Sequence, residues 1–267
     1  MTSKPRSILS WSAGLTRSRI DQLAVEEPLE IRVDTRSVSV TMRTPGYDEE
    51  LAMGFLVTEG LVRKRTDVSE TRTYPRNEQG NVVDVFLAPG TKIDFARLTR
   101  HVFASSSCGL CGKASIASVH QHFKSIRKRL AVRAQTLTRI AARLSSVQET
   151  FAQTGGLHAA AIYSANGRLV VAREDVGRHN AVDKVIGHGL LKGLLPFDQH
   201  ILMVSGRASF EIMQKALAAR IPIVAAVSAP SSLAVEFAES SGQTLVGFLR
   251  EGRMNIYSHA NRIQTEK

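Results

Sequence analysis

The strongest chemical signal in the chain comes from its only two cysteines, Cys108 and Cys111, among 267 residues. They lie three positions apart in the stretch SSSCGLCGK, residues 105–113. The serines and glycines of this stretch favour a tight turn, and the residues from Lys113 onward favour the start of a helix. A thiol near a helix N-terminus and a lysine is shifted toward the reactive thiolate. The pair is therefore the first candidate for sulfur chemistry or metal binding.

Three chemistries are compatible with this pair. A zinc site would need two further ligands, and His120 and His122 could supply them, although their spacing differs from that of structural zinc sites. A thioredoxin-like dithiol should follow the first strand of a βαβ unit, a context that this sequence does not offer. A sulfur carrier would hold a terminal persulfide on one thiolate, and the other thiolate would help to release it by exchange.

Positive charge is concentrated around the cysteines. The chain has a net charge of +11, yet it holds 13 basic and 14 acidic residues up to Ala96, and 12 and 10 from Glu149 onward. Between Arg97 and Gln148 lie ten cations and no carboxylate. Such a one-sign field attracts a polyanionic partner and favours thiolates. A solvated helix face with a chance bias is the alternative.

Further candidate binding residues lie in three predicted strand-to-helix turns, at residues 173–180, 204–209 and 227–232. In α/β sheets, ligands bind at the carboxyl ends of the strands, and helix N-termini there favour anions. We assign a binding role to Arg178 and His179 in the first turn and to Arg207 in the second. For Glu174, a functional role and an ion pair with a neighbouring arginine are equally supported. Together the turns predict a polyphosphate or nucleotide-like ligand, although the chain has neither of the common glycine-rich phosphate patterns.

The elements that must position these residues fall into two groups. In the first group, a hairpin over residues 25–33 and 38–43, a helix over 48–61 and strands at 72–74 and 82–87 predict a small α+β unit. In the second, apolar strands alternate with helices, which predicts a sheet covered on both faces. The predicted strands are 158–163, 169–172, 201–205, 223–228, 244–249 and 255–257, and the predicted helices are 179–191, 210–219 and 232–240.

The fold class is therefore α/β, with a small N-terminal α+β subdomain and a three-layer α/β/α C-terminal domain. The predicted divisions are a flexible basic arm (1–24), the α+β subdomain (25–104), the cysteine loop with a basic helical connection (105–148) and the α/β domain (149–267). No stretch has the apolar length that crosses a bilayer, and the N-terminus lacks the apolar run of a signal peptide. A disulfide between two cysteines so close together would close too short a loop to stabilise a secreted fold. The cysteine usage therefore predicts a cytoplasmic protein.

Three motifs, in this order, resemble the formate dehydrogenase accessory sulfurtransferase family (FdhD). They are PGYDEELAMGFLVTEG (45–60), SCGLCG (107–112) and EDVGRHNAVDK (174–184). The resemblance extends from about residue 26 to residue 262. It implies a sulfurtransferase that accepts sulfur from a cysteine desulfurase as a persulfide. It further implies transfer of that sulfur to the molybdenum bis(molybdopterin guanine dinucleotide) cofactor before the cofactor enters formate dehydrogenase.

Carried over by position, the resemblance makes Cys108 the persulfide intermediate and Cys111 its partner, with no bound metal and no permanent cofactor. It also assigns binding of the molybdenum cofactor to one segment, comprising Phe248, Leu249, Arg250, Glu251, Gly252 and Arg253. The family further implies a homodimer, and we expect neither a membrane nor nucleic acid as a partner.

The resemblance also implies a C-terminal domain similar in fold to cytidine deaminases. The position of the catalytic glutamate of deaminases holds Ala160, two residues after His158, so deamination is not expected. The alternative function is a zinc-stabilised basic module that binds nucleic acid or a nucleotide.

Overall fold

A sheet with buried residues on both faces forms the centre of the structure, a computed structural model that describes residues 1–74, 81–91, 93, 123–127 and 130–265. The described strands are β1 (Ser3–Ser12), β2 (Leu15–Ala24), β3 (Glu27–Val33), β4 (Arg36–Arg43), β5 (Val68–Tyr74), β6 (Val82–Leu87), β7 (Val132–Arg133), β8 (His158–Ser164), β9 (Leu169–Asp175), β10 (His200–Val204), β11 (Ile223–Ala226), β12 (Thr244–Arg250), β13 (Arg253–Ile256) and β14 (Ile263–Gln264). The described helices are α1 (Asp48–Thr58), α2 (Ala134–Arg143), α3 (Glu149–Thr154), α4 (Arg178–Leu191), α5 (Phe210–Ala218) and α6 (Ser232–Ser241).

Within the described residues, the central sheet has the strand order β13-β12-β11-β10-β8-β9. Strands β10, β11 and β12 are parallel, whereas β8 runs antiparallel to β10 and β9 antiparallel to β8. Every residue of β11 is buried, as are the last four of β10, which explains why both read as continuous apolar runs in the sequence. The predicted C-terminal strands and helices are confirmed, with ends that shift by up to three residues.

Two apolar clusters cover the two faces of this sheet. On one face, Ala160 and Ile162 of β8 pack with residues of α4, α5 and α6. On the other, Ala159, Ala161 and Tyr163 of the same strand pack with residues of α2. The alternation along one strand places successive side chains on opposite faces. The predicted three-layer α/β/α arrangement is therefore confirmed, while the likeness to cytidine deaminases stays a prediction.

The N-terminal part contributes a second sheet, with the order β4-β3-β6-β5 among the described strands. The predicted hairpin of β3 and β4 is confirmed, and its turn residues Asp34 and Thr35 have φ of 47° and 66°. Helix α1 packs closely on α4: a Cβ placed on Gly54 would lie 1.8 Å from the backbone oxygen of Asp183. The apolar core is continuous, since one cluster contains residues of β3, α1, α4 and β10.

The first residues form an antiparallel hairpin of β1 and β2 where we expected a loose arm. The turn residues Ala13 and Gly14 have φ of 49° and 83°, the left-handed values that match the twist of a two-residue hairpin turn. Strand β2 lies beside α3, and the N–H of Val25 donates to the carbonyl of Thr2 over 2.9 Å. Among the described helices, none is long and apolar enough to cross a membrane.

Candidate functional site at the carboxyl edge of the sheet

The predicted strand-to-helix turns lie side by side at one edge of the central sheet. Strands β9, β10 and β11 point in the same direction, so their carboxyl ends meet there. Backbone hydrogen bonds join the second turn to the third. The N–H of Ala208 donates to the carbonyl of Ala229 over 3.2 Å, and the N–H of Ser231 donates to the carbonyl of Ala208 over 3.0 Å. The structure therefore brings the candidate side chains of these turns to one surface, which we call the carboxyl edge.

His158 connects the first turn with the second. It opens β8, whose amino end lies at the carboxyl edge because this strand runs antiparallel to β10. The N–H of Ala159 donates to Ser205 Oγ over 2.8 Å, which fixes the second turn against β8. A Cβ added to Gly206 would lie 3.2 Å from His158 Nδ1 and 4.0 Å from the Cβ of Arg178. Glycine thus lets the second turn approach the imidazole closely.

The electrostatics of the carboxyl edge favour anions. Burial lowers the pKa of His158, the guanidiniums of Arg178 and Arg207 lower it further, and Asp175 opposes them. The imidazole is therefore neutral at neutral pH. Arg178 is the first residue of α4, and its buried Nε has no hydrogen-bond partner in the described part of the chain. Two cations beside a helix N-terminus form a surface suited to phosphate or another anion.

The carboxylate of Asp175 organises the first turn. Its Oδ1 accepts hydrogen bonds from Gly177 N–H over 2.8 Å and from Asn180 Nδ2 over 2.9 Å, and its Oδ2 pairs with Lys184 Nζ over 2.7 Å. Asp175 is 0% exposed and Lys184 1%. A Cβ on Gly177 would lie 2.8 Å from Asn180 Nδ2, so a side chain here would displace the amide that Asp175 holds. The network fixes the start of α4 and with it the position of Arg178.

Glu174 and Arg173 have structural partners distant in sequence. The carboxylate of Glu174 accepts hydrogen bonds from the N–H groups of Thr150 and Phe151, over 2.9 and 2.8 Å, and thereby caps the N-terminus of α3. Arg173 pairs with Glu50 of α1 over 2.6 Å. The alternative of an ion pair between Glu174 and Arg173 is therefore wrong, because the guanidinium of Arg173 is held by Glu50 of α1.

His179 lies between two helices. Its side chain is 7% exposed, and its Nε2 lies 3.4 Å from both Ser209 Oγ and Glu211 Oε2 at the start of α5. These contacts connect the first turn with the helix that follows the second. Its predicted role in binding a ligand stays a prediction.

The segment 248–253 adjoins the third turn. Phe248 has φ of 51° and is 45% exposed, at an irregularity in the register of β12 with β13. Its N–H donates to the carbonyl of Ser228 over 3.2 Å. Leu249, by contrast, is 1% exposed and packs in the core beneath α2. Phe248 therefore lies at the carboxyl edge, whereas Leu249 anchors the segment to the core.

The remaining residues of this segment lie at the surface. Arg250 is exposed and donates to the carbonyls of Val227 and Leu249. Glu251 and Gly252 form the exposed turn into β13, where the glycine has φ of 77°, and Arg253 is the exposed first residue of that strand. Residue types alone predict an ordinary hairpin for this stretch, because nothing in its composition shows that it adjoins the third turn.

Comparison with known proteins adds a match over most of the chain. The model of the FdhD/NarQ family matches residues 24–264. The chain belongs to the FdhD/NarQ family. This match spans the carboxyl edge, the segment 248–253 and the cysteine pair.

Curated relatives of this FdhD/NarQ chain carry the name sulfur carrier protein FdhD. The protein from Mycolicibacterium paratuberculosis is 52% identical over 265 residues, 97% of each chain. The protein from Mycobacterium tuberculosis is 50% identical over 268 residues, again 97% of each. The protein from Streptomyces coelicolor is 47% identical and covers 97% of this chain and 94% of its own. The similarity therefore extends along nearly the whole length of both partners.

A solved structure supports the same assignment. A crystal structure of a putative formate dehydrogenase accessory protein from Desulfotalea psychrophila superposes with a TM-score of 0.78 and is 26% identical. The match covers 99% of this chain and 100% of the other. The α/β fold of this FdhD/NarQ chain is thus that of an experimentally determined structure.

Cys108 and Cys111 lie outside the described residues, so their predicted roles stay predictions. Among the residues that are described, no cluster of histidine, cysteine, aspartate or glutamate could hold a metal ion. A cavity of about 570 Å³ at the C-terminal end of α1 is lined by Gly60, Lys64 and Thr91, among others. A Cβ on Gly60 would lie 3.7 Å from the ring of Phe123. None of the residues lining this cavity belongs to the carboxyl edge.

Proposed function

We propose that this FdhD/NarQ chain is a sulfurtransferase that carries sulfur for the maturation of formate dehydrogenase. Its support is the family match over residues 24–264 together with relatives about half identical that are named sulfur carrier proteins. The proposal places the protein in the cytoplasm, where thiols stay reduced. Its partners are a cysteine desulfurase as donor and formate dehydrogenase as the enzyme served.

The proposed chemistry uses the two cysteines in sequence. The thiolate of Cys108 attacks the terminal sulfur of the desulfurase persulfide, a new S–S bond forms on Cys108, and the desulfurase cysteine leaves as a thiolate. The thiolate of Cys111 then attacks the inner sulfur of Cys108, which expels the terminal sulfur as sulfide and leaves a disulfide. A thiol reductant restores the pair. The acceptor is the molybdenum bis(molybdopterin guanine dinucleotide) cofactor, which is a substrate of the reaction.

The carboxyl edge is the proposed binding surface for this acceptor. The cofactor carries diphosphates, and the edge offers Arg178 and Arg207 beside two helix N-termini. The exposed ring of Phe248 adjoins the third turn and provides a face on which a purine base stacks. The neutral His158 accepts or donates one hydrogen bond without adding charge.

Mass spectrometry after incubation with a cysteine desulfurase and cysteine tests the carrier role. We expect one added sulfur, about 32 Da and removable by thiols, on the peptide that contains Cys108. The Cys108→Ala variant should show no adduct. The Cys111→Ala variant should keep the adduct and release sulfide more slowly. A full adduct on Cys108→Ala would overturn the assignment, and stoichiometric zinc lost on changing both cysteines would favour the zinc-stabilised module.

Titration with guanosine diphosphate, as a fragment of the cofactor, tests the carboxyl edge independently of the cysteines. Removing a charge-assisted phosphate contact costs about 1.5–3 kcal/mol, so Arg207→Ala should weaken binding about 10- to 100-fold. Arg168→Ala is the matched control, because Arg168 is exposed in the turn between β8 and β9, at the opposite end of the sheet. Equal affinities of the two variants would exclude the edge as the phosphate site.

A further inference from the structure

The cavity of about 570 Å³ at the C-terminal end of α1 lies apart from the carboxyl edge, and we call it the α1 cavity. Two connections form its walls, the one between α1 and β5 and the one that follows β6. Its lining residues are Gly60, Leu61, Arg63, Lys64, Thr66, Asp67, Ala88, Pro89, Gly90 and Thr91. A cavity of this volume is large enough for a drug-sized molecule or a few residues of peptide, and a single inorganic anion would fill only a small part of it.

The first wall is anchored by a buried side chain and by backbone hydrogen bonds. Val62, where this connection begins, is 1% exposed. Asp67 Oδ2 accepts hydrogen bonds from the N–H groups of Arg63 and Lys64, over 2.9 and 3.1 Å. The carbonyl of Asp67 accepts a hydrogen bond from the N–H of Ala88 over 2.9 Å, which joins the first wall to the second. The α1 cavity is therefore preformed, as the binding surfaces of most protein complexes are.

Positive charge surrounds the mouth of the α1 cavity. Arg63, Lys64 and Arg65 follow one another in the first wall, and all three are exposed. We call these three residues the cationic rim. Among the described residues that line the cavity, Asp67 alone carries a carboxylate, and one of its oxygens is already used by the backbone of the same wall. Grouped guanidinium and ammonium groups recognise carboxylates, so the rim is complementary to an acidic ligand.

The composition of the walls favours a peptide as this acidic ligand. A nucleotide binds best where its base stacks on an aromatic ring, and no lining residue in the described part of the chain is aromatic. The lining consists instead of small and polar residues beside the cations. A segment of protein that carries carboxylates therefore fits this site better than a nucleotide does.

The chain enters and leaves the cysteine stretch beside this cavity. Thr91 of the second wall lies two residues before Ile93, which packs against the apolar core. A Cβ on Gly60 of the first wall would lie 3.7 Å from the ring of Phe123. Ile93 and Phe123 are the described residues nearest in sequence to the cysteine pair, one on each side. A protein that transfers sulfur to this pair therefore approaches a stretch whose two described ends lie at the α1 cavity.

We propose that the α1 cavity and its cationic rim bind the sulfur donor, a cysteine desulfurase, through an acidic segment of that enzyme. The inference rests on the proposed sulfur transfer and adds the surface at which the donor binds. Complementary charge at such a surface mainly raises the rate of encounter. The rim therefore affects how readily the donor reaches the thiolate and leaves the exchange of sulfur itself unchanged.

Reversing the charge of the rim tests this proposal. Arg63→Glu combined with Lys64→Glu replaces two cations by carboxylates, while the backbone N–H groups that hold Asp67 remain. Mass spectrometry follows the transfer of sulfur from a cysteine desulfurase. The half-maximal rate should need an about tenfold higher concentration of this variant, with the maximal rate unchanged. Because salt screens exposed charges, about 1 M salt should remove most of the difference from the unchanged protein.

Arg139→Glu combined with Arg143→Glu is the matched control. Both arginines are exposed on α2, and their reversal changes the net charge by the same amount as that of the rim. Helix α2 packs on the opposite face of the central sheet from α1. The control should therefore accept sulfur from the desulfurase with the kinetics of the unchanged protein.

Thr66→Trp tests the space of the cavity separately from its charge. Thr66 lines the cavity and is exposed, so an indole fills space there without replacing a buried side chain. Transfer from the desulfurase should slow at low and at high salt alike, because the obstruction is steric. Unchanged transfer in this variant would contradict a donor segment that enters the cavity.

Glutathione persulfide as the donor separates this inference from the proposed function. This small persulfide needs no surface for a protein partner, so it should load the unchanged protein, the rim variant and the control equally. If neither donor loads any of them, the sulfurtransferase itself is contradicted, and the docking surface with it.

Three results would overturn the docking surface and leave the sulfur carrier intact. Equal kinetics of the rim variant and the unchanged protein with the desulfurase would exclude the rim. An equal loss in the rim variant and the control would show that net charge, and not the α1 cavity, attracts the donor. Normal loading of the rim variant with impaired activation of formate dehydrogenase would assign the cavity to that enzyme.

Discussion

At the scale of single residues, the protonation of His158 reports on the whole carboxyl edge. Burial contributes most to the lowered pKa of this imidazole, and Arg178 and Arg207 follow. The two arginines come from turns separate in sequence, and their fields add at the ring because the turns meet there. A bound phosphate would cancel part of these fields and raise the pKa of His158. The pKa of His158 therefore reports whether the two arginines face the ring and whether a phosphate is bound beside it.

The substitution Arg178→Gln should raise the pKa of His158 toward its ordinary value of 6.5. The side chain keeps much of its length, so the effect reports on charge more than on packing. An NMR titration of the imidazole carbons measures this shift directly. Arg168→Gln, at the opposite end of the sheet, should leave the titration unchanged. An unmoved His158 in Arg178→Gln would show that the guanidinium does not face the ring.

The lowered pKa of His158 also makes the free energy of unfolding depend on pH. His158 binds a proton less readily in the folded chain than in the unfolded chain, so acid favours unfolding. Its contribution to the free energy of unfolding is fully present above about pH 6.5 and is lost as the pH falls through the lower folded value. Arg178→Gln removes one of the causes and brings the folded pKa of His158 closer to the unfolded one, so it should reduce this loss.

At the scale of elements, the crossing of α1 and α4 depends on two glycines. A Cβ on Gly54 would lie 1.8 Å from the backbone oxygen of Asp183, and a Cβ on Gly187 would lie 1.8 Å from that of Glu50. Backbone atoms cannot rotate away as a flexible side chain can, so either added methyl group must move a helix. This close approach lets α1 join the N-terminal sheet to the helical layer above the central sheet.

Gly54→Ala and Gly187→Ala should each lower the free energy of unfolding by about 1–3 kcal/mol or more. The gain in helix propensity, up to about 1 kcal/mol, is too small to offset the clash. Since both methyl groups force the same two helices apart, the double variant should lose less than the sum of the single losses. Urea unfolding followed by circular dichroism measures all three values. Additive losses would mean that the two sites do not share one crossing.

Elements of the α/β part could be predicted because their signals are local. Apolar runs such as Ile223–Ala226 have glycine, proline or serine nearby, and the alternation of strands and helices limits how they assemble. The hairpin of β1 and β2 gave no such signal, because its alternating positions hold serine and threonine as often as apolar residues. Its turn, Ala13-Gly14, is also less distinctive than Asn-Gly.

The part of the candidate site that lies in strand-to-helix turns could be predicted from the sequence. Arg178 and Arg207 stand at strand-to-helix turns that the sequence already reveals, and the rule for α/β sheets places them at one edge. The partners of Glu174 and Arg173 were not predictable, since they are backbone groups of α3 and Glu50 of α1. The position of Phe248 depends on an irregular pairing of β12 with β13, which the residue types do not predict.

At the scale of the whole molecule, one buried ion pair connects the layers of the shared core. Lys215 Nζ of α5 lies 2.7 Å from Asp183 Oδ2 of α4 and 3.0 Å from Thr58 Oγ1 at the end of α1. The Thr58 hydroxyl donates to Asp183 Oδ1 over 2.9 Å. All three residues are buried, at 1–4% exposure. The N-terminal α+β part and the central sheet therefore depend on the same contacts and should unfold together.

Lys215→Met should lower the free energy of unfolding by about 3–5 kcal/mol, because it leaves the Asp183 carboxylate buried without its cation. Burial raises the pKa of Asp183, so in this variant stability should be highest in acid and fall as the pH rises through the raised value.

Native-state hydrogen exchange on Lys215→Met tests whether the two sheets unfold together: amides of β3 and of β10 should lose the same amount of protection. Lys192→Met, an exposed lysine at the end of α4, is the control and should change neither strand. Lost protection in β10 with β3 unchanged would show that the two sheets unfold as separate units despite their common core.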